Sequence, residues 1–203
     1  MTDERANAMD LGAEGNGLSN DTTAVQSAID GCYDAGGGTV YFPPGRYLSG
    51  SIVLKSRVSL NLEGGAVLLA SRDPSDYADR RILISAEGAE NVTICGRGTI
   101  DGQADEDLGR RPGHEGEERP KFRTSLVRFD DCTDVSVRDV TMKSSDAWTL
   151  HFRGCCNVLV DGITILNNYF RTNTDGINPV SCRNVHISNC YLVCGDDCVC
   201  IKS

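Results

Sequence analysis

Apolar positions along this chain follow two rhythms. Near the start, Ala24, Val25, Ala28, Ile29 and Cys32 recur at helical spacing, so residues 21–35 read as an amphipathic helix capped by Asn20 or Asp21. Gly36-Gly37-Gly38 ends it, because glycine loses more chain entropy on entering a helix than any other residue. From there the rhythm is that of short strands. The runs Thr39–Phe42, Tyr47–Leu54, Val58–Leu62 and Ala66–Leu69 are separated by Pro43-Pro44-Gly45, Lys55-Ser56 and Glu63-Gly64-Gly65. Val58, Leu60 and Leu62 alternate with Ser59 and Asn61, the period of a strand with one buried face.

The second half repeats itself. Residues 132–142 read CTDVSVRDVTM, 155–165 read CCNVLVDGITI and 182–192 read CRNVHISNCYL, with a fainter copy, AENVTICGRGTI, at 89–100. Val135, Val158 and Val185 fall in register, 23 and 27 residues apart. Repeats of this length, built from short strands with no helix between them, predict an all-β solenoid whose coils stack aliphatic residues on one another: a parallel β-helix. The aligned Cys132, Cys155 and Cys182 then form an internal stack and not disulfides. The helix at 21–35 is expected to cap the N-terminal end, where an unpaired strand edge is a liability. Residues 1–9 are expected to be a disordered lead-in, and 10–203 a single domain. Residues 101–123, with seven acids and five bases, break the repeat and read as a solvated loop on one face, a candidate cleft wall.

Composition narrows the partners. A net charge of −9 argues against nucleic acid, and no apolar run reaches the length of a bilayer span. The first thirty residues lack a signal-peptide pattern. That tilts the expectation toward a reducing, cytoplasmic compartment, with secreted or periplasmic placement open if the start has been trimmed. The ten cysteines show no zinc-site spacing and read mostly as small buried thiols, so no metal and no cofactor is expected.

Two stretches break the strand pattern: Asn173-Thr174-Asp175-Gly176 and Gly195-Asp196-Asp197-Cys198. Neighbouring carboxylates repel and suit strands badly. Asp175 and Asp196 stand 21 residues apart, about one coil, and coils stack at about 4.8 Å. Three carboxylates in one patch divide labour: repulsion keeps a proton on one, a general acid, while the others activate water. Hydrolysis of a glycosidic bond needs this set. Turn formation by the Asp-Gly and Gly-Asp dipeptides, and Ca²⁺ binding, remain as alternatives at this point.

These motifs, with Ile201-Lys202-Ser203 after them, resemble the polygalacturonases of glycoside hydrolase family 28. So do DTTAVQSAIDGC at 21–32, GGGTVYFPPGRYLSGSIVLKS at 36–56, GTIDGQ at 98–103 and Trp148-Thr149-Leu150-His151. The resemblance covers about residues 10–203. It implies a right-handed parallel β-helix that hydrolyses α-1,4-galacturonosyl linkages of a pectin-type polysaccharide with inversion. By match, Asp196 is the general acid, Asp175 and Asp197 hold and activate water, and Asn173 binds substrate. Trp148 is expected to pack in the core and His151 to make a structural hydrogen bond. The family's Gly-His-Gly and Arg-x-Lys do not occur, and Asn178 stands where aspartate is common. The expectation is therefore a truncated chain that hydrolyses pectin poorly. A non-catalytic carbohydrate-binding or structural β-helix is the alternative, with a calcium-dependent pectate lyase third.

Overall fold

In the computed structural model, which describes residues 5–77, 81–104 and 123–203, the chain winds through three parallel sheets. The first contains Arg5–Asn7, Gly38–Phe42, Val58–Leu62, Glu90–Gly96, Thr133–Arg138, Cys156–Asp161 and Arg183–Ser188, in that order. The second contains Asn16–Asn20, Gly45–Ser49, Ala66–Ala70, Thr99–Asp101, Thr141–Lys143, Thr164–Leu166 and Tyr191–Val193. The third contains Ile52–Val53, Ile82–Glu87, Ser125–Asp130, Leu150–Arg153 and Ile177–Val180, extended by bridges from Ile177 to Val199 and from Val180 to Lys202. From Gly38 onward each coil contributes to each sheet in turn, the last reaching the third sheet through those bridges. This is the parallel β-helix expected from the repeats, and it is right-handed, as the family resemblance implies.

Register explains the spacing of the apolar residues. Val92, Val135, Val158 and Val185 form one column across successive coils, and Leu68, Ile100, Met142, Ile165 and Leu192 form another. Burying each such side chain stabilises by about 1.5–3 kcal/mol before chain entropy is counted. In the third sheet Phe129 and Phe152 stack nearly parallel, their ring centroids 5.3 Å apart.

A third column, of polar residues, lies at the start of the strands of the first sheet. Asn91, Asp134, Asn157 and Asn184, each just before a column valine, adopt positive φ between 54° and 57°. Short amide and carboxylate side chains tolerate this left-handed geometry. They also form a ladder: Asn157 donates to Asp134 at 2.9 Å, and Asn184 donates to Asn157 at 2.9 Å. The cysteine stack lies alongside. Cys132, Cys155 and Cys182 carry free thiols, each donating to the carbonyl two residues earlier, at 3.2, 3.5 and 3.3 Å.

The predicted helix spans Thr22–Asp34 and buries Val25, Ala28, Ile29 and Cys32 over the N-terminal coils. Asp21 holds the N-cap position, and of the two expected capping side chains it is Asn20 that bonds a helix amide. Asp21 is buried and its carboxylate turns back to accept from the amides of Glu14 and Gly15, while Asn20 accepts from Thr22 N at 3.0 Å. The expected disordered lead-in does not hold for its described part. Arg5–Asn7 pairs with Thr39–Tyr41, and the Arg5 guanidinium lies 3.9 Å from the Tyr41 ring centre. Edge pairing and this contact order a segment whose composition alone reads as loose. Most of the predicted acidic loop, residues 105–122, lies outside the described residues.

Candidate active site

All four candidate residues come from one corner of the solenoid, where the chain passes from the second sheet to the third. Buried polar contacts hold this corner in place of apolar packing. Asn167, following Thr164–Leu166, points inward. It donates to Thr149 Oγ1 at 2.7 Å and to the Thr174 carbonyl at 3.1 Å, and accepts from Ser145 N at 3.0 Å. Arg171 is buried and pairs with the fully buried Asp146 at 2.9 Å; Arg72 binds the other oxygen of Asp146. Arg123 donates to the carbonyls of Asp146 and Thr172. These bonds tie three successive stretches of chain together just ahead of Asn173.

Two glycines let the coils meet. A Cβ on Gly176 would lie 2.4 Å from the Cys198 carbonyl oxygen, and one on Gly195 would lie 2.1 Å from that of Arg171. With no side chain in the way, Gly176 N donates to the Asp197 carbonyl at 2.9 Å, and Gly195 N donates to Thr174 Oγ1 at 3.0 Å. The Asp-Gly and Gly-Asp pairs therefore allow close backbone approach as well as turns, and that approach brings the carboxylates together.

Asp175 is 4% exposed, and its Oδ1 has no hydrogen-bond partner. Burial pushes its pKa above the ordinary carboxylate value, and the charges of Asp196 and Asp197 push the same way; Lys202, with Nζ 3.9 Å from Oδ2, pulls back. Asp196 and Asp197 are exposed. The Asp196 carboxylate accepts from Asn173 N at 3.1 Å and from Asp197 N at 3.0 Å. A carboxylate oxygen of Asp175, one of Asp197 and the Cys200 thiol all lie within 4.8 Å of one another. Asn173 joins the group through its backbone, at φ 59°.

Trp148 and His151 depart from expectation. Trp148 is not part of the buried core. It is half-buried, edge-on to His151 at 4.9 Å, with the Lys202 ammonium 4.1 Å above its ring. A ring that faces a lysine near Asp175 belongs to the rim of the site. His151 is buried, but its Nε2 has no hydrogen-bond partner, and burial pushes its pKa down to about 4, so it is neutral. In register, Arg128, His151 and Asn178 form a row across three coils of the third sheet.

The profile of the Glycosyl hydrolases family 28 matches residues 32–203. The chain belongs to this family. A probable polygalacturonase of Vitis vinifera is 37% identical over 220 residues, covering 98% of this chain and 44% of the relative. A hyperthermoactive exopolygalacturonase from Thermotoga maritima superimposes with a TM-score of 0.87 at 28% identity, covering 100% of this chain and 55% of that one. A family 28 exopolygalacturonase of Yersinia enterocolitica gives 0.84 at 26% identity, covering 98% and 44%. This family 28 chain thus spans about half the length of the curated relatives it matches. Sequence reasoning missed Asp146, Arg171 and Asn167, which no local pattern marks as buried. Lys202 lay within a quoted motif, but its place beside Asp175 follows only from the stacking of coils.

Proposed function

We propose that this chain carries the acid–base carboxylates of a hydrolase that cleaves α-1,4-galacturonosyl linkages in pectin-type polysaccharide with inversion. The observation that carries the reading is the convergence of Asp175, Asp196 and Asp197 on one corner of a family 28 β-helix. Oxygens of Asp175 and Asp197 within 4.8 Å of each other suit a single water held between two acceptors, at about 2.8 Å from each. That water is the nucleophile, activated by whichever of the pair is ionised. Asp196, exposed at the rim, is placed to hand a proton to the leaving sugar oxygen. Asn173 lies beside Asp196 and binds substrate. Trp148 offers an aromatic face to a sugar ring, and Lys202 a cation to a uronate.

One observation favours a reversal of roles: the group held above the ordinary carboxylate range is Asp175. In that reading Asp175 gives the proton and Asp196 takes one from water. Release of reducing ends from polygalacturonate by the wild type, Asp196→Asn and Asp175→Asn tests both readings. Loss of a general acid or base costs about 10²–10⁴ in kcat. Azide restores turnover to a variant lacking its base and not to one lacking its acid, which separates the two assignments. A product with retained anomeric configuration would refute inversion. Tight binding of oligogalacturonide without cleavage by the wild type would instead favour a carbohydrate-binding β-helix, and chelator-sensitive release of unsaturated products a lyase.

A further inference from the structure

The thiol of Cys200 is an unusual neighbour for paired carboxylates. Cys200 follows the Asp-Asp pair on the bridge segment that extends the third sheet. Its amide donates to the Ile177 carbonyl at 3.0 Å, which anchors it one coil beyond Asn178. From there its sulfur and one oxygen each of Asp175 and Asp197 lie within 4.8 Å of one another. Two further observations point to a ligand at this place. Asp175 Oδ1 is buried and has no partner. Asn178, fully buried on the preceding coil, has both its amide nitrogen and its amide oxygen unpartnered. A buried polar atom without a partner costs about 1–3 kcal/mol, and Asp175 and Asn178 both bear it, Asn178 on the strand that bridges to Val199 and Lys202.

We propose that Asp175, Asp197 and Cys200 form a binding site for a thiophilic divalent cation of the Zn²⁺ or Cd²⁺ type. Charge supports it. The charged groups bearing on Asp175 are Asp196, Asp197 and Lys202. Three carboxylates against one ammonium leave two negative charges before the thiol ionises, which favours a multivalent cation over a monovalent one. Ligand chemistry sets the kind of ion. Two oxygens and a sulfur with a fourth position open to water match a tetrahedral zinc site, whereas Ca²⁺ takes six to eight oxygens and gains little from sulfur. Zinc bonds of about 2.0–2.3 Å place ligand atoms about 3.3–3.8 Å apart. Two of the three contributing side chains belong to exposed or half-buried residues and can close that gap by rotation. On binding, the thiol gives up its proton to solvent and the thiolate takes the metal. The ion would occupy the position of the water held between Asp175 and Asp197, so it would inhibit hydrolysis. That consequence rests on the hydrolase reading; the binding itself does not.

The test is titration of the reduced chain with Co²⁺, which gives a near-ultraviolet thiolate charge-transfer band when bound to cysteine. The expected result is one equivalent bound in the wild type and in Cys198→Ser, a control for the neighbouring thiol. Cys200→Ser loses the band, and Asp197→Asn weakens binding at least tenfold. Serine nearly matches cysteine in size and circular dichroism checks that each variant is folded, so a lost band reports a lost ligand. A band that survives Cys200→Ser, or no band in the wild type, overturns the proposal. If Co²⁺ binds as expected while polygalacturonate is left uncut, the hydrolase reading fails and the metal site stands.

Discussion

Replacing Arg171 by methionine probes how the corner that carries the three aspartates is held. Asp146 is fully buried; one oxygen accepts from Arg171 at 2.9 Å, and the other faces Arg72 and the amide of Thr124. Methionine keeps the length of the arginine stem and removes its charge. Breaking a buried ion pair from one side costs about 3–5 kcal/mol, because the remaining charge stays buried. Arg72, one-third exposed, still faces Asp146, so the lower end applies, about 3 kcal/mol. For a chain of this size each kcal/mol shifts Tm by about 2–4 °C, giving a fall of about 6–12 °C in a thermal melt followed by circular dichroism. The double variant Arg171→Met with Asp146→Leu removes both charges and should lose less than the single one. A single variant that melts within about 2 °C of the parent, or a double variant that melts lower than the single, would refute the claim that this pair secures the corner.

Three more outcomes follow from the same geometry. The folded-state pKa of Asp175 is raised, so its contribution to stability is fully present below the unfolded value of about 3.9 and is lost as pH rises through the folded value. Asp175→Asn should therefore melt higher than the parent at pH 7, with the gap closing near pH 3 and hydrolysis lost throughout. His151 is held neutral down to about pH 4, whereas an unfolded histidine takes a proton near 6.5; stability should decline as pH falls across that window, and His151→Gln should remove this part of the slope. An imidazole signal assigned to His151 by its loss in His151→Gln, and titrating near 6.5 in the folded chain, would contradict it. Gly176→Ala places a Cβ 2.4 Å from a backbone oxygen, and the resulting shift should cost about 1–3 kcal/mol and depress kcat more than it raises KM.

The chain's own pattern determined the architecture. Alternating apolar residues and a repeat of 23 to 27 residues admit few folds, and the column Val135, Val158, Val185 lies in the register that spacing predicts. The capping helix and the free cysteine stack were legible for the same reason: each depends on residues close in sequence or equivalent between repeats. The three aspartates could be named because their motifs are short and recur in a known family. Tertiary structure alone decided what surrounds them. Asp146 and Arg171 stand 25 residues apart, and Lys202 and Trp148 54 apart, with nothing local to mark them as partners. Stacking coils at a fixed spacing brings such residues together, sets a thiol near two carboxylates, and lets burial and neighbouring charge raise Asp175 and lower His151.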